Sequence, residues 1–138
     1  MAFEIKQRMV DGVTVLGFHG RLVAGEPVEA FRAAVDRLAG AGTKYLVLDL
    51  THTTYIDSTA LGCLVMTHTR FQKAEGKVTL FGLSSQQMEL LVITKLTTVF
   101  ALHADEIDAV NACIPGRKSR KFDLLEFVQR TREKEGGG

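Results

Sequence analysis

The stretch "YLVLDLTHTTYIDSTALGCLVM", Tyr45–Met66, decides the fold. Its first six residues are apolar on both parities except at Asp49, as in a central strand covered on both faces. After Thr59 the pattern changes to helical spacing, with Leu61, Leu64, Val65 and His68 on one stripe. Between the two stand an acid and two hydroxyls, Asp57, Ser58 and Thr59, where a buried strand hands over to a buried helix. Asp57 or Ser58 is expected to cap that helix by accepting from its free N–H groups. A hydroxyl in the first turn is exposed and lies where the helix dipole welcomes an anion. A phosphate could therefore be added there without unfolding the domain, bringing roughly −1.5 to −2 charge.

Upstream, Phe3, Ile5 and Met9 share one parity and Glu4, Lys6 and Arg8 the other, which predicts a strand. Asp11-Gly12 is a hairpin turn, since both residue types tolerate positive φ, and "VTVLGFHG" returns as the second strand. Pro27 suits the first turn of a helix whose face is Val28, Phe31, Val35 and Leu38, stopped by "GAG" at 40–42. Downstream, "EG" at Glu75-Gly76 ends the helix after "DST", and "KVTLFG" is a strand. Ser84 and Gln87 form a capping box for a helix lined by Met88, Leu91 and Val92. "TTVFAL" reads as a short strand, and Ile107, Val110 and Ile114 mark another helix. Strands alternating with helices predict an α/β layer with a mostly parallel sheet.

Beyond Pro115-Gly116, "GRKSRK" places basic residues at Arg117, Lys118, Arg120 and Lys121. Glu126, Glu133 and Glu135 soon balance them, so the cluster reads as a solvated linker and not as a lipid or nucleic-acid site. "FDLLEFVQRTREKE" reads as a helix, too apolar at its start for a free tail. It is expected to pack on the domain or on a second copy, so a homodimer through this helix is one expectation. A glycine tail closes the chain.

With 138 residues, 46% hydrophobic and 24% charged, the chain can bury a core without disulfides or metal. A net charge of +1 offers no strong field for a nucleic-acid backbone, and the absence of Trp with only 2 Tyr argues against a base-stacking platform. No apolar run approaches the ~20 residues needed to cross a bilayer. "MAFEIKQRMV" lacks the charge and apolar order of a signal peptide. Cys63 and Cys113 form no CxxC, which fits a reduced, cytoplasmic setting. His19, His52, His68 and His103 form no HxxxH or HExxH pair, so neither metal nor cofactor is expected.

Two catalytic motifs fail on context. "AGAGTK" follows a helix and precedes a strand, the reverse of a phosphate-binding loop. Ser58 has Ile56 and Ala60 where a nucleophile elbow needs glycines, and no histidine is assignable as its base. An enzyme is not expected.

The stretch "LVLDLTHTTYIDSTALG" resembles the phosphorylation-site region of STAS-domain anti-sigma factor antagonists, where a strand, an aromatic–apolar pair and D-S-[ST]-G-hydrophobic-G precede the second helix. "EGKVTLFGLSSQQMELLVITKLTTVFAL" is similar to the family's downstream half, and the resemblance spans roughly Phe3 to Ile114. It implies a mixed sheet of four or five strands with helices mainly on one face, over residues 1–116, and the extra C-terminal helix read within 117–138 extends beyond the family's minimal domain. It also implies a partner switch. The unmodified protein binds an anti-sigma factor that is a serine kinase, phosphorylation releases it, and a serine phosphatase restores binding. Carried over, Ser58 is the acceptor, Thr59 a minor acceptor, and Asp57 the acid that shapes the site. Asp57, Ser58, Thr59, Ala60, Leu61 and Arg21 are the expected partner-binding residues.

Two departures stand out. Alanine at position 60 replaces the family glycine, and its methyl group could obstruct close docking of a kinase. The second strand ends Gly20-Arg21-Leu22-Val23 where the family often has G-E-L-D. The alternative function is a non-phosphorylated STAS scaffold, such as the small cytoplasmic subunit of a lipid-transport complex.

Overall fold

The computed structural model describes residues 2–136, with side chains through 130, so the last two glycines of the expected tail lie outside the described residues. The chain runs β1 (Glu4–Val10), β2 (Val13–Leu22), α1 (Glu26–Gly40), β3 (Tyr45–Asp49), β4 (Thr53–Ile56), α2 (Ser58–Lys73), β5 (Lys77–Phe81) and α3 (Ser85–Ile93). A 3-10 turn (Leu96–Thr98), β6 (Ala101–His103), α4 (Glu106–Cys113) and α5 (Leu124–Gly136) follow. The strands form one mixed sheet in the order β1-β2-β3-β5-β6, with β4 paired to β2. β1 is antiparallel to β2 across the Asp11-Gly12 turn, and the remaining pairings are parallel.

The sheet therefore has six strands where four or five were expected, and β4 is the addition. β2 is long enough to serve two neighbours on one side. Thr14–Gly17 pair with β3, and Gly20–Leu22 pair with β4 across a register shift between Gly20 and Arg21. Gly20 takes φ 113° at that bulge, a left-handed conformation that favours glycine. The chain leaves β3 at Asp49, turns with Thr53 N donating to Leu50 O, and resumes beside the end of β2. This step carries Asp57 forward to the tip of β2.

Side-chain alternation divides the core into two. On one face Leu16, Phe18, Leu46, Leu48, Val78 and Leu80 meet α1, α2 and α3. On the other, Val13, Val15, Val47 and Phe81 meet Ala109, Val110 and Cys113 of α4. The doubly apolar reading of "YLVLDL" follows from this, because β3 feeds both clusters. Each buried Leu or Phe contributes about 1.5–3 kcal/mol over exposure. α1 buries its four expected face residues together with Ala34.

Three local expectations change. "TTVFAL" divides into the 3-10 turn and β6, so only Ala101 and Leu102 of it are strand. Val92 is 45% exposed and Ile107 71%, because α3 and α4 are short and turn one narrow side inward. α5 begins at Leu124, and Phe122 lies in the segment before it.

That segment is more than a solvated linker. Arg120 donates to Asp108 Oδ2 through Nε (3.0 Å), to Asp105 Oδ2 through Nη2 (2.9 Å) and to Asp108 Oδ1 through its backbone N–H (3.0 Å). Ser119 Oγ donates to Asp108 O, and Arg117 pairs with Asp11. The carboxyl of Asp108 is held below the ordinary aspartate range, first by the Arg120 amide and then by its guanidinium. Phe122, Leu124 and Phe127 then pack against the main core, so α5 lies on its own domain.

Candidate functional site

The site is built where β2 and β4 end together. Asp57 follows β4 and is the N-cap of α2, with extended backbone (φ −94°, ψ 178°). Its Oδ1 accepts from Ala60 N at 2.9 Å, and its Oδ2 accepts from Ala24 N at 2.8 Å. Ala24 precedes Gly25, the residue that opens α1 at φ 101° without a side-chain cap. One carboxylate thus closes the start of α2 and ties it to the loop that starts α1. The amides of Ala24 and then Ala60 hold its pKa below the ordinary aspartate value, because both favour the ionised form. Asp57 N also donates to Leu22 O at 3.4 Å, extending the β2–β4 ladder by one rung.

The sequence left open which residue caps α2. The structure gives the cap to Asp57, and this frees Ser58. Ser58 is the first residue of α2 and is exposed, as is Thr59. Among the described residues neither hydroxyl has a hydrogen-bond partner, and no acid follows in the first turn of α2. An anion attached to Ser58 would lie at the positive end of the α2 dipole, beside the Asp57 carboxylate.

Ala60 and Leu61 require a correction as contact residues. They are 0% and 8% exposed and belong to the main core, so they position α2 and present no surface to a partner. The Ala60 methyl is buried in the main core. Arg21 lies on the exposed end of β2, directly across from Tyr55 of β4. Its guanidinium stands 4.9 Å from the centroid of the Tyr55 ring, a cation–π contact beside the site. The structure thus brings Arg21, Asp57, Ser58 and Thr59 to one end of the sheet.

Two surface residues, Gly62 and Met66, escaped the sequence reading. Ser58, Gly62 and Met66 recur at i, i+4 and i+8, one line along the outer face of α2. Gly62 is exposed, and a Cβ there would meet nothing within 4 Å. Met66 is 66% exposed, and Tyr55 flanks the line at its start. The signal was present in the i, i+4 spacing from Ser58. It was hidden because the same segment carries the stronger inward stripe of Leu61, Leu64 and Phe71.

Comparison with known proteins places this geometry. The STAS domain family model matches residues 4–109. The chain is 30% identical over 107 residues to the anti-sigma-B factor antagonist of Listeria monocytogenes, covering 74% of this chain and 88% of that protein. In fold it is similar to an anti-sigma factor antagonist from Mycobacterium paratuberculosis (TM-score 0.71, 21% identity, 81% of this chain and 94% of that one). It is also similar to the Bacillus cell fate determinant SpoIIAA in its phosphorylated form (TM-score 0.62, 18% identity, 80% and 98%). With a six-stranded mixed sheet, an aspartate-capped second helix and a family match over most of its length, the chain belongs to the STAS domain family.

Proposed function

We propose that this protein is an anti-sigma factor antagonist that works as a phosphorylation-controlled partner switch. With Ser58 unmodified it binds an anti-sigma factor that is also a serine kinase, which withdraws that factor from its sigma factor. The kinase then transfers the γ-phosphoryl group of ATP to Ser58 Oγ. ADP leaves, the hydroxyl proton passes to a base of the kinase, and the antagonist dissociates. A serine phosphatase hydrolyses the ester and resets the switch. Thr59 is the minor acceptor, and the cytoplasm, where ATP and sigma factors meet, is the compartment.

The observation that carries this reading is the free, exposed Ser58 hydroxyl at a helix start whose capping is already done by Asp57. The names of the Listeria relatives support the partner class. Asp57, Ser58, Thr59 and Arg21 form the contact surface, extended by Gly62 and Met66.

Electrostatics give the direction of the switch. A partner that closes over Ser58 removes the hydroxyl from water at little cost if it keeps a hydrogen bond. A phosphate near −2 costs several kcal/mol to desolvate unless cations compensate. The helix dipole returns only about 0.3–2 kcal/mol, in the free state as well as the bound. Asp57 adds like-charge repulsion at short range.

Calorimetry of unmodified and Ser58-phosphorylated protein against the anti-sigma kinase encoded near its gene tests the proposal. Tight binding of the first form and weak binding of the second is the expected result. Equal affinities would make Ser58 a plain helix residue and the domain a fixed scaffold.

A further inference from the structure

We propose that β1 pairs with β1 of a second copy of this chain, joining the two sheets edge to edge about a two-fold axis. β1 is a terminal strand of the sheet, and among the described residues no strand pairs with its outer side. It is 7 residues long, without the proline or the bulge that blunts such an edge. The opposite edge, β6, has only 3 residues and is protected by its shortness.

The hairpin fixes which backbone groups the edge presents. Asp11 and Gly12, at φ 51° and 81°, make a two-residue turn with positive φ at both positions, so Val10 and Val13 are a hydrogen-bonded pair. Alternation then turns the amides and carbonyls of Arg8, Lys6 and Glu4 toward β2. Those of Met9, Gln7 and Ile5 face the open edge. An antiparallel copy must therefore set odd-numbered residues opposite odd-numbered ones.

Charge selects among those registers. Glu4, Lys6 and Arg8 share the face turned away from the main core. Arg8 is engaged by Asp49 and Glu106, whereas among the described residues Glu4 and Lys6 have no ion-pair partner. With Ile5 on the axis, Glu4 of each copy lies opposite Lys6 of the other, at the non-hydrogen-bonded positions where side chains come closest. Centring the pair on Glu4 or on Lys6 sets that residue against itself, and centring it on Gln7 sets Lys6 against Arg8 twice. Charge on an edge ordinarily discourages pairing. Here the two signs are spaced so that one register is free of like-charge opposition. The same register brings Ile5 against Ile5, with Phe3 opposite Gln7 on either side. Phe3 and Ile5 already pack against the main core, so the seam prolongs that core across the axis. None of these residues belongs to the Ser58 surface.

Sedimentation velocity of the full chain over a range of concentrations tests the proposal. We expect a monomer–dimer equilibrium that weakens at high salt. Glu4→Lys and Lys6→Glu each turn two attractive pairs into two repulsive ones, so each alone should raise the dimer Kd about tenfold. Both positions are exposed, so circular dichroism should show each variant folded. An equimolar mixture of the two variants restores opposite charge at both positions and should dimerise as the parent does. Leu125→Glu, on the exposed side of α5, should leave the dimer unchanged. A parent that stays monomeric up to about 1 mM would overturn the proposal. So would single variants that dimerise as well as the parent, a mixture no tighter than its components, or a dimer lost in Leu125→Glu.

Discussion

α2 and α3 begin in similar sequence, "YIDSTALG" and "GLSSQQME", yet they use their serines in opposite ways. At α3 the cap is a serine. Ser84 Oγ accepts from Gln87 N at 3.1 Å, and Gln87 Oε1 accepts from Ser84 N at 3.0 Å. The Gln87 side chain continues to Thr53 O at 2.8 Å, so this box also pins α3 to β4. At α2 the cap is a carboxylate, and the adjacent serine is left without structural work. Esterifying a hydroxyl engaged as a cap alters the contact that starts the helix, whereas esterifying a hydroxyl beside a cap leaves that contact in place. Moving the capping role one residue upstream frees the Ser58 hydroxyl from folding, as the proposed phosphorylation requires.

The largest effect expected from this contrast is on binding. Phosphate at Ser58 should weaken binding to the anti-sigma kinase by about 3 kcal/mol, roughly a hundredfold in Kd. Mass spectrometry of protein treated with that kinase should find the phosphate on Ser58 and none on Ser84. Modification of Ser84 at a comparable level would break the distinction between the two helix starts.

Next comes Asp57→Ala, which removes the cap of α2 and the acceptor for Ala24 together. Loss of a cap alone costs about 0.5–2 kcal/mol, and the second orphaned amide should place this variant at about 2 kcal/mol. Urea unfolding would measure it. Because the folded carboxyl titrates below its ordinary value, its stabilisation is complete above about pH 4, the unfolded aspartate value, and is lost as pH falls through the lower folded one. Asp57→Asn should therefore flatten the acid limb of the stability–pH curve.

Ser84→Ala should cost about 1 kcal/mol, the ordinary value for a serine cap. Ser58→Ala should be smallest, within about 0.5 kcal/mol of the parent, as for surface sites outside any cap or core. It should also bind the kinase and resist release by ATP. A Ser58→Ala loss equal to that of Ser84→Ala would show that Ser58 shares the capping role after all.

The sequence was most legible where one strong pattern stood alone. The hairpin at Asp11-Gly12, the face of α1, both sides of β3 and the box at Ser84 are found as read. β4 escaped because its four residues follow no alternation: Thr53 and Ile56 are buried, while Thr54 and Tyr55 between them are exposed. It is a strand because β2 is long enough to pair with it, a tertiary fact with no local signature. The inward reading of Val92 and Ile107 failed for a related reason, since a helix of 8 or 9 residues buries too narrow a stripe for periodicity to locate. At the candidate site, the residue types and the handover from strand to helix were readable at Asp57–Thr59. The link from Asp57 to Ala24 was not, because it joins positions 33 residues apart.

That link bears on tempo. Asp57 joins the start of α2 to the loop before α1 through two bonds of 2.8 and 2.9 Å, so this connection beside Ser58 stands without any partner. If the switch works as proposed, adding or removing phosphate redraws charge on a fixed platform and no segment has to reorganise. The interval between states is then set by kinase and phosphatase turnover, with no slow relaxation of the antagonist to blur the signal. A cell could reverse its decision as fast as it can change the balance of those two enzymes.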